Sequence, residues 1–383
     1  MAKRYWFAAG VLGMGLALLV FRACQLPNPL QPDAADTPDS EVTESGLTLR
    51  DVTLEQPDEN GQLLWRVKGD EVTYSPDRQV AYVTSPDGEL FQDGKVIYRV
   101  QADTGEVREN GQVIFLRGNI VATGVENQSV LRGNELEWRP EEDRLIVSEG
   151  ITGNHPQIQA EARRAEVFNR EKRMVLEGDV MATAVAVDGE TESPIKLQAE
   201  RLVWFWEAER LETSQPLRAE QLEAGKVTDF ITGDRGQLDL AAMVLNLQQN
   251  VEMRLLEFPL RVTSEAALWQ VEEQQVQINQ PLRLLQPEEE VVVTAQSGRM
   301  DLENEQVYLI GSVSAQGQNN QTELTSDRLR WDLPQETVVA EGNVTYQQGN
   351  PQLRLQGSRA VGRLDNQTVV VDGGPVVTEI VPN

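Results

Sequence analysis

The chain has 383 residues, 40% of them hydrophobic, with 34 Lys and Arg against 61 Asp and Glu and a formal net charge of −27. This hydrophobic fraction suffices for a folded core, and the excess of acids argues against nucleic-acid binding, because phosphate backbones are bound through Lys and Arg. One His and one Cys in the whole sequence exclude a His-cluster metal site, a cysteine-based zinc site and an internal disulfide.

The first predicted element is a hydrophobic segment at residues 1–24. Lys3 and Arg4 precede an apolar run from Tyr5 to Phe21. As a helix, this run would be about 26 Å long, close to the hydrocarbon thickness of a bilayer. Basic residues before the run and acidic residues after it predict a single-pass membrane helix, with the bulk of the protein on the far side of the membrane.

Cys24, at the end of this segment, leaves two other outcomes open. The position of the cysteine after Ala23 resembles the lipidation site of bacterial lipoproteins, and a fully cleaved secretory signal is the third alternative. All three outcomes export the chain. Residues 25–45 are rich in Pro and Asp, which predicts a disordered tether between the membrane and the folded part.

From residue 46 onward the sequence repeats itself ten times. A small residue, in most copies followed by an acidic or amide residue, recurs about every 31 residues in much of the chain. Within each repeat apolar and polar residues alternate between turn-forming residues, which is typical of β-strands joined by turns. The small residues are Gly69, Ala102, Gly133, Ala160, Ala199, Gly233, Ser264, Ala295, Ser326 and Gly357.

Two further columns accompany the small residues. In the first column, an aliphatic residue lies two positions before each small residue, from Val67 in the first repeat to Leu355 in the last. The second column, five positions after the small residue, consists of Tyr74, Val107, Trp138, Ala165, Trp204, Leu238, Trp269, Met300, Trp331 and Gly362. Because alternate side chains of a strand share a face, both columns are predicted to point inward, with a bulge or corner just after each small residue.

The repeats predict an all-β protein. We expect an elongated antiparallel β-solenoid, or V-shaped β-jelly roll, of about ten two-strand repeats, preceded by one N-terminal membrane helix. The longest repeat contains an insertion at residues 188–194, which predicts a first lobe at 46–187 and a second lobe at 188–383. A Glu/Ala/Leu stretch within residues 218–227 suggests a short helical turn.

The repeat resembles that of the lipopolysaccharide-transport periplasmic family, which comprises LptC, LptA and the N-terminal jelly roll of LptD. The shared pattern is a small residue with an acid, then an apolar residue and Trp, then Val-x-Leu/Ala-x-Gly-Asn/Asp-Val. Clear copies are Leu324–Val344 and Ile158–Val180. One N-terminal anchor followed by such a domain is similar to LptC in particular, although the chain is longer than LptC of the usual kind and would be either an extended form or a fusion of LptC-like and LptA-like lobes.

This resemblance implies a periplasmic lipid-transfer scaffold anchored in the inner membrane. The implied partners are a lipopolysaccharide-like glycolipid, an inner-membrane ABC permease that delivers it, and an LptA-like or LptD-like jelly-roll protein that receives it. The rival hypotheses are a structural β-solenoid of the cell envelope and a soluble LptA-like bridge. The candidates for lining an apolar groove, or alternatively for filling the core, are Tyr74, Val107, Trp138, Trp204, Leu238, Trp269, Met300 and Trp331.

Two remaining features concern the surface. The uncharged, β-branched segment Val369, Val370 and Val371 predicts a terminal edge that receives a strand of a partner jelly roll, unless the tail at 372–383 folds back over it. His155 lies in a turn-like sequence, Gly-Asn-His-Pro, and is predicted to be a solvated loop residue. We predict no catalytic residue, no metal ion and no cofactor.

Overall fold

A computed structural model of the chain describes residues 47–184, 194–223, 226–288, 290–317, 321–349, 352–364, 368–372 and 377–380. The chain divides into two units, Met1–Glu44 and Ser45–Asn383, and all described residues belong to the second unit. The predicted membrane segment at 1–24 and the tether at 25–45 therefore lie outside the described residues. Within the described part of the chain, no helix is long and apolar enough to cross a membrane.

The described residues form 28 β-strands and one turn of 3-10 helix at Glu109–Gly111, so the predicted all-β class is confirmed. The first strands are β1 (Thr48–Pro57), β2 (Leu63–Tyr74), β3 (Ala81–Thr84), β4 (Asp87–Gln92), β5 (Lys95–Gln101), β6 (Thr104–Arg108), β7 (Val113–Gly124), β8 (Val130–Arg139), β9 (Arg144–His155), β10 (Ile158–Phe168), β11 (Arg173–Ala184) and β12 (Ile195–Phe205). They are followed by β13 (Arg210–Thr213), β14 (Leu217–Glu223), β15 (Lys226–Gly233), β16 (Arg235–Asp239), β17 (Val244–Leu255), β18 (Leu260–Gln270), β19 (Gln275–Ile278) and β20 (Leu282–Gln286). The last are β21 (Val291–Ala295), β22 (Ser297–Asp301), β23 (Gln306–Gly317), β24 (Thr322–Asp332), β25 (Thr337–Gln348), β26 (Leu353–Arg363), β27 (Thr368–Asp372) and β28 (Val377–Ile380).

All strands pair antiparallel in one continuous ladder of rungs. A rung is either one long strand or two short strands placed end to end. For example, β2 pairs with β3 through its second half and with β4 through its first half. In turn β3 pairs with β6, β4 pairs with β5, and both β5 and β6 pair with the next long strand, β7. The same arrangement recurs at β13–β16, at β19–β22 and, for the last rung, at β27 and β28.

Each long rung turns a corner near its middle, which confirms the predicted bulge. In β7 the register shifts between Arg117 and Ile120, where Gly118 and Asn119 have φ of +78° and +46°. The Asp103 N–H donates to the Gly118 carbonyl at 3.0 Å, and the Asn119 amide donates to the Asp103 carboxylate at 2.8 Å. A Cβ at position 118 would lie 2.4 Å from that carboxylate. The acid or amide after the small residue caps a left-handed corner of the following strand in the same way at Asp234, Gln296 and Asp327.

The corner divides every rung between two walls of the sheet. The turn wall consists of β3, β6, β13, β16, β19, β22, β27 and the matching halves of the long strands. Its four-residue turns stack on one another, since the Leu302 N–H donates to the Gln274 carbonyl at 2.8 Å and the Leu333 N–H to the Glu305 carbonyl at 3.1 Å. The hairpin wall consists of β4, β5, β14, β15, β20, β21, β28 and the other halves, which are joined by hairpins of varied length.

The core lies between the two walls. One large cluster of buried apolar side chains extends from Trp65 to Leu333. A separate small cluster at the C-terminal end is formed by Ala340, Val344 and Ala360. Burial of apolar area, at about 25 cal/mol per Å², is the main favourable contribution to stability in such a layer.

The predicted position of the small residue is wrong in one of the ten repeats. Leu136, three positions after Gly133, and Ala165 both pair with Val147, so the small residue of the fourth repeat is Ala162 and not Ala160. Ala162 is 9% exposed. The exposed Arg163 then occupies the place of the capping acid, and its guanidinium lies 3.5 Å from the carboxylate of Asp179 at the next corner. At this corner an ion pair between Arg and Asp thus replaces the hydrogen bond between Asn and Asp.

The helical turn suggested within residues 218–227 is also wrong. Residues 217–223 form β14 and pair with β12 from Leu217↔Ala199 to Gln221↔Ile195, because Leu217, Ala219 and Gln221 alternate inward and are buried. The division into lobes at residue 188 stays a prediction. Residues 185–193 lie outside the described residues, and the flanking strands β11 and β12 pair along their whole length.

Candidate functional site at the seam between the walls

The two walls are joined at the corner, and their opposite margins face each other. We call the line along which the two margins meet the seam. The margin of the turn wall is formed by its stacked turns, and the margin of the hairpin wall by its hairpins. Side chains from turns and hairpins of different rungs meet across the seam, so it is where the interior can open.

Polar side chains close the seam in the N-terminal part. Gln92 of the hairpin wall donates to the carboxylate of Asp143 at 2.7 Å and accepts from the amide of Asn169 at 2.5 Å. Asp143 and Asn169 are only 6% and 7% exposed. Burial raises the pKa of Asp143, while the Arg170 N–H and the Gln92 amide oppose that rise by donating to the carboxylate. Each of these buried polar groups is therefore satisfied by a group across the seam.

Further contacts of this kind follow along the chain. The ammonium of Lys172 lies 3.0 Å from the carboxylate of Glu126, and the Gln157 amide donates to Glu209 at 2.5 Å. Near the start of the ladder, the Trp65 indole N–H donates to the Gly111 carbonyl at 2.7 Å. We call the seam between residues 65 and 209 the closed section.

His155 belongs to this closed section, so its prediction as a solvated loop residue is wrong. It ends β9, is half-buried, and its ring contacts Trp204 edge to face with the centroids 4.5 Å apart. Its Nδ1 accepts from the Gln157 N–H at 3.2 Å. Burial lowers the pKa of His155, because an apolar surrounding disfavours the charged imidazolium.

The aromatic column lies inside the core. Trp138, Trp204 and Trp269 are 2%, 3% and 0% exposed. Their indole N–H groups are buried and have no hydrogen-bond partner among the described residues. Val107, Leu238, Met300 and Trp331 are likewise buried, and Tyr74 is half-buried against the core. A groove along this whole column would require the walls to part, so its role in binding lipid stays a prediction.

At the C-terminal end, a cavity of about 300 Å³ lies between the walls. We call it the apolar cavity because most of its lining side chains are hydrophobic, although polar side chains such as Gln348 also border it. Trp331 and Val338 of the turn wall line it together with Val293 and Leu324 of the hairpin wall. The cavity also borders Gly362, which occupies the tryptophan column of the last repeat. A glycine there leaves free the space that an aromatic ring fills in other repeats. Gly362 is the one position of the predicted column without a side chain, and this is the sequence signal that points to the cavity.

A second cavity of about 490 Å³ opens on the neighbouring stretch of the seam. Gln221, Asp229 and Glu257 line it from the hairpin wall, and Met300 and Glu305 from the turn wall. Burial, followed by the charges of Glu257 and Glu305, raises the pKa of Asp229 to about 6. Burial also raises the pKa of Glu305, and the charges of Glu257 and Asp332 add to this rise. Sequence analysis missed this cluster, because its members come from hairpins and turns far apart in the chain.

The predicted partner edge lies at the end of the ladder. Val370 of β27 is 61% exposed, while Val369 and Val371 are half-buried. Among the described residues, the ladder partner of β27 is β26. The tail residues 377–380 form β28, which also pairs with β26 and continues the rung on the other wall. In the described part of the tail, the chain thus lies beside the edge and does not cover it.

Comparison with known proteins bears on these observations. The family model described as Lipopolysaccharide-assembly, LptC-related, matches the chain three times, over residues 16–145, 144–255 and 261–373. Comparison with curated protein sequences finds no match. Among solved structures, the chain is similar to the crystal structure of LptH, the LptA homologous periplasmic component of the conserved lipopolysaccharide transport device from Pseudomonas aeruginosa. Identity is 15%, the TM-score is 0.22, and the similarity covers 41% of this chain and 94% of that one.

Proposed function

Since this chain belongs to the LptC-related lipopolysaccharide-assembly family, we propose that it is a membrane-anchored periplasmic carrier of lipopolysaccharide or a related glycolipid. The acyl chains enter the space between the two walls at the C-terminal part of the seam. Three successive family matches make the chain an extended member, in which several jelly-roll units form one continuous ladder. The protein acts as a scaffold and has no catalytic role.

The observation that carries this proposal is the apolar cavity around Trp331. Its volume of about 300 Å³ is at the lower end of the range for small-molecule sites, roughly 300–1,000 Å³. It lies between the large and the small core clusters, and Leu324 packs against both of them. Hydrophobic side chains from both walls line it, so a chain of methylene groups can replace missing core contacts there.

Such a site binds acyl chains strongly, but binding alone does not give transport a direction. Each buried CH₂ contributes about 0.8 kcal/mol, so several methylene groups outweigh a typical headgroup contact of about 1 kcal/mol. A carrier of this type therefore needs an external source of energy for directed transport. An ABC permease of the inner membrane is the partner that supplies lipid and energy in this proposal.

The N-terminal segment provides the anchor. The proposal places residues 1–24 in the inner membrane and the β-ladder in the periplasm, as the charges around the apolar run favour. Fractionation of cells that express Cys24→Ala separates the two kinds of anchor. Continued membrane association supports a retained helix, and release into the periplasm supports lipidation at Cys24.

The terminal edge supplies the outlet. We place the docking strand of an LptA-like or LptD-like jelly roll against β27, where Val370 is 61% exposed and the uncharged, β-branched run Val369–Val371 suits the addition of a strand. Val370→Pro, which removes a backbone donor, is expected to reduce capture of the partner in a pull-down. Capture at the wild-type level by the folded variant would contradict this docking site.

Photo-crosslinking in cells tests the carrier function. A photo-reactive amino acid at Trp331 is expected to capture lipopolysaccharide, because this side chain lines the apolar cavity. The matched control is Ile310 on β23, whose side chain is 54% exposed and faces away from the core. Labelling at position 331 without labelling at 310 supports a carrier. Equal labelling, or none at either position, would instead favour a structural role in the envelope.

A further inference from the structure

The cavity lined by Gln221, Asp229, Glu257 and Glu305 has no part in binding acyl chains, because its lining is mostly polar and acidic. Gln221 and Asp229 pair directly across β14 and β15. Glu257 follows β17, which also pairs with β15, and Glu305 reaches the cavity from the turn wall. These three acids are among five carboxylates that line the space from both margins.

A second observation indicates what this space binds. Gln221 is only 5% exposed, and its Oε1 has no hydrogen-bond donor among the described residues. A buried acceptor without a donor costs free energy, unless a ligand supplies the missing hydrogen. Besides burial, the charges of Glu257 and Glu305 raise the pKa of Asp229, and the charge of Glu257 also raises the pKa of Glu305, so a positively charged ligand would relieve this repulsion.

The ligand must therefore be a cation that donates hydrogen bonds. Among the described residues, no group of three or more His, Cys, Asp and Glu side chains is placed to hold a metal ion. An ammonium group, with three donors in a space of about 490 Å³, fits these residues better than a bare metal ion.

The apolar cavity lies next to this site. Val307 lines the acidic cavity and pairs in the ladder with Trp331, which lines the apolar one. A molecule with an ammonium group and an alkyl chain can therefore occupy both cavities together. We propose that the acidic cavity is a binding site for the ammonium group of an amphiphile whose chain lies in the apolar cavity.

This inference rests on the proposed function only for the position of the ligand's alkyl chain in the apolar cavity. It assigns a ligand class to the headgroup side of the same seam: lipids that carry a primary amine are bound in preference to lipids that do not. The protonated ammonium donates to the Gln221 Oε1 and to the carboxylates of Asp229 and Glu305, and Glu257 adds negative charge at the rim of the cavity.

Isothermal titration of the full chain in phosphatidylcholine nanodiscs, corrected against empty nanodiscs, tests this site. The probes are decylammonium and the neutral decyl glucoside, which has the same chain. The wild-type protein is expected to bind decylammonium about tenfold more tightly than decyl glucoside, which is the contribution of one charge-assisted hydrogen bond. Equal affinity for the two probes would overturn the ammonium site alone, whereas failure of both to bind would overturn the proposed function as well.

Two variants and one control locate the binding. Asp229→Asn and Gln221→Leu are each expected to remove most of the preference for decylammonium and to leave binding of decyl glucoside unchanged. Glu265→Gln, which removes an exposed acid at the corner of β18 and outside this cavity, is expected to change neither. Circular dichroism verifies that the variants are folded. If Glu265→Gln and Asp229→Asn lost the same part of the preference for decylammonium, the preference would depend only on the net charge of the protein, and the site would be contradicted.

The dependence on pH provides an independent signature. The facing titratable groups are Asp229, Glu257, Glu303, Glu305 and Asp301. Because Asp229 titrates with a pKa of about 6, wild type is expected to lose its preference for decylammonium between pH 7 and pH 5. In Asp229→Asn the small remaining preference is expected to stay constant over that interval. If Nα-acetyl-lysine methylamide, which keeps the ε-ammonium group on only four methylene groups, bound as tightly as decylammonium, the site would belong to a partner protein and the proposal would be wrong.

Discussion

The closed and open sections of the seam are built from the same rungs, yet their margins differ in charge and in packing. In the closed section, a donor on one margin meets an acceptor on the other, as for Gln92 with Asp143 and Lys172 with Glu126. In the open section, which comprises the two cavities between residues 221 and 369, Asp229 and Glu257 face Glu305. Complementary margins hold the walls together, and margins of like charge leave room between them.

The interior follows the same division. Tryptophans fill the column at Trp138, Trp204 and Trp269 in the large cluster, but the last repeat has Gly362 at that position. The sheet itself is continuous through both sections, since every rung pairs with the next. The comparison of the two sections shows that the same backbone ladder can have a closed or an open seam. A few side chains at the margins and in the inward column decide between the two.

The largest expected effect concerns the packing of this column. Trp138→Ala is expected to lower the free energy of unfolding by about 3–5 kcal/mol, because it removes a fully packed aromatic side chain and leaves a cavity. Trp331→Ala is expected to cost less, because its ring already borders a cavity. Urea denaturation followed by circular dichroism measures both. Equal losses would show that the two sections are packed alike.

A smaller effect is expected from the polar contacts across the seam. Gln92→Leu removes the partners of Asn169 and of one Asp143 oxygen, at a cost of about 1–3 kcal/mol for buried polar groups left unpaired. Glu257→Gln, in the open section, is expected to be neutral or stabilising, since it removes a like charge. Urea denaturation and hydrogen exchange at both margins report the outcome, and a stabilising Gln92→Leu would refute the closing role of this contact.

Acidification should act in opposite directions around His155 and around Asp229. The pKa of His155 is lowered in the folded protein, so the unfolded chain takes up a proton first and the contacts around His155 lose stability as the pH falls below about 6.5. The pKa of Asp229 is raised from 3.8 to about 6. The folded protein therefore takes up that proton first, and the open section gains stability as the pH falls from 7 to 5. Amide protection factors at His155 and Gln157 and at residues 226–229 measure both changes, and shifts in the same direction at both places would contradict this assignment.

The sequence predicts the parts of this fold that repeat. Column positions such as Val67, the corner after each small residue and the strand pairing follow from a periodicity of two and from turn residues. The register error at Ala160 arose because Ala160 and Ala162 are both small, and only the pairing with Val147 distinguishes them. The seam could not be predicted, because its contacts join residues such as Gln92 and Asn169, which are 77 positions apart.

The central claim is that lipid enters between the walls in the open section and not in the closed one. Electron paramagnetic resonance can measure this with pairs of spin labels across the seam, in a Cys24→Ala background that has no other cysteine. One pair joins Glu257 and Glu303, and the reference pair joins Gln128 and Glu171; all four residues are exposed. On addition of lipopolysaccharide, the 257–303 distance is expected to increase while the 128–171 distance stays constant. An equal change in both pairs, or no change in the first, would contradict this account.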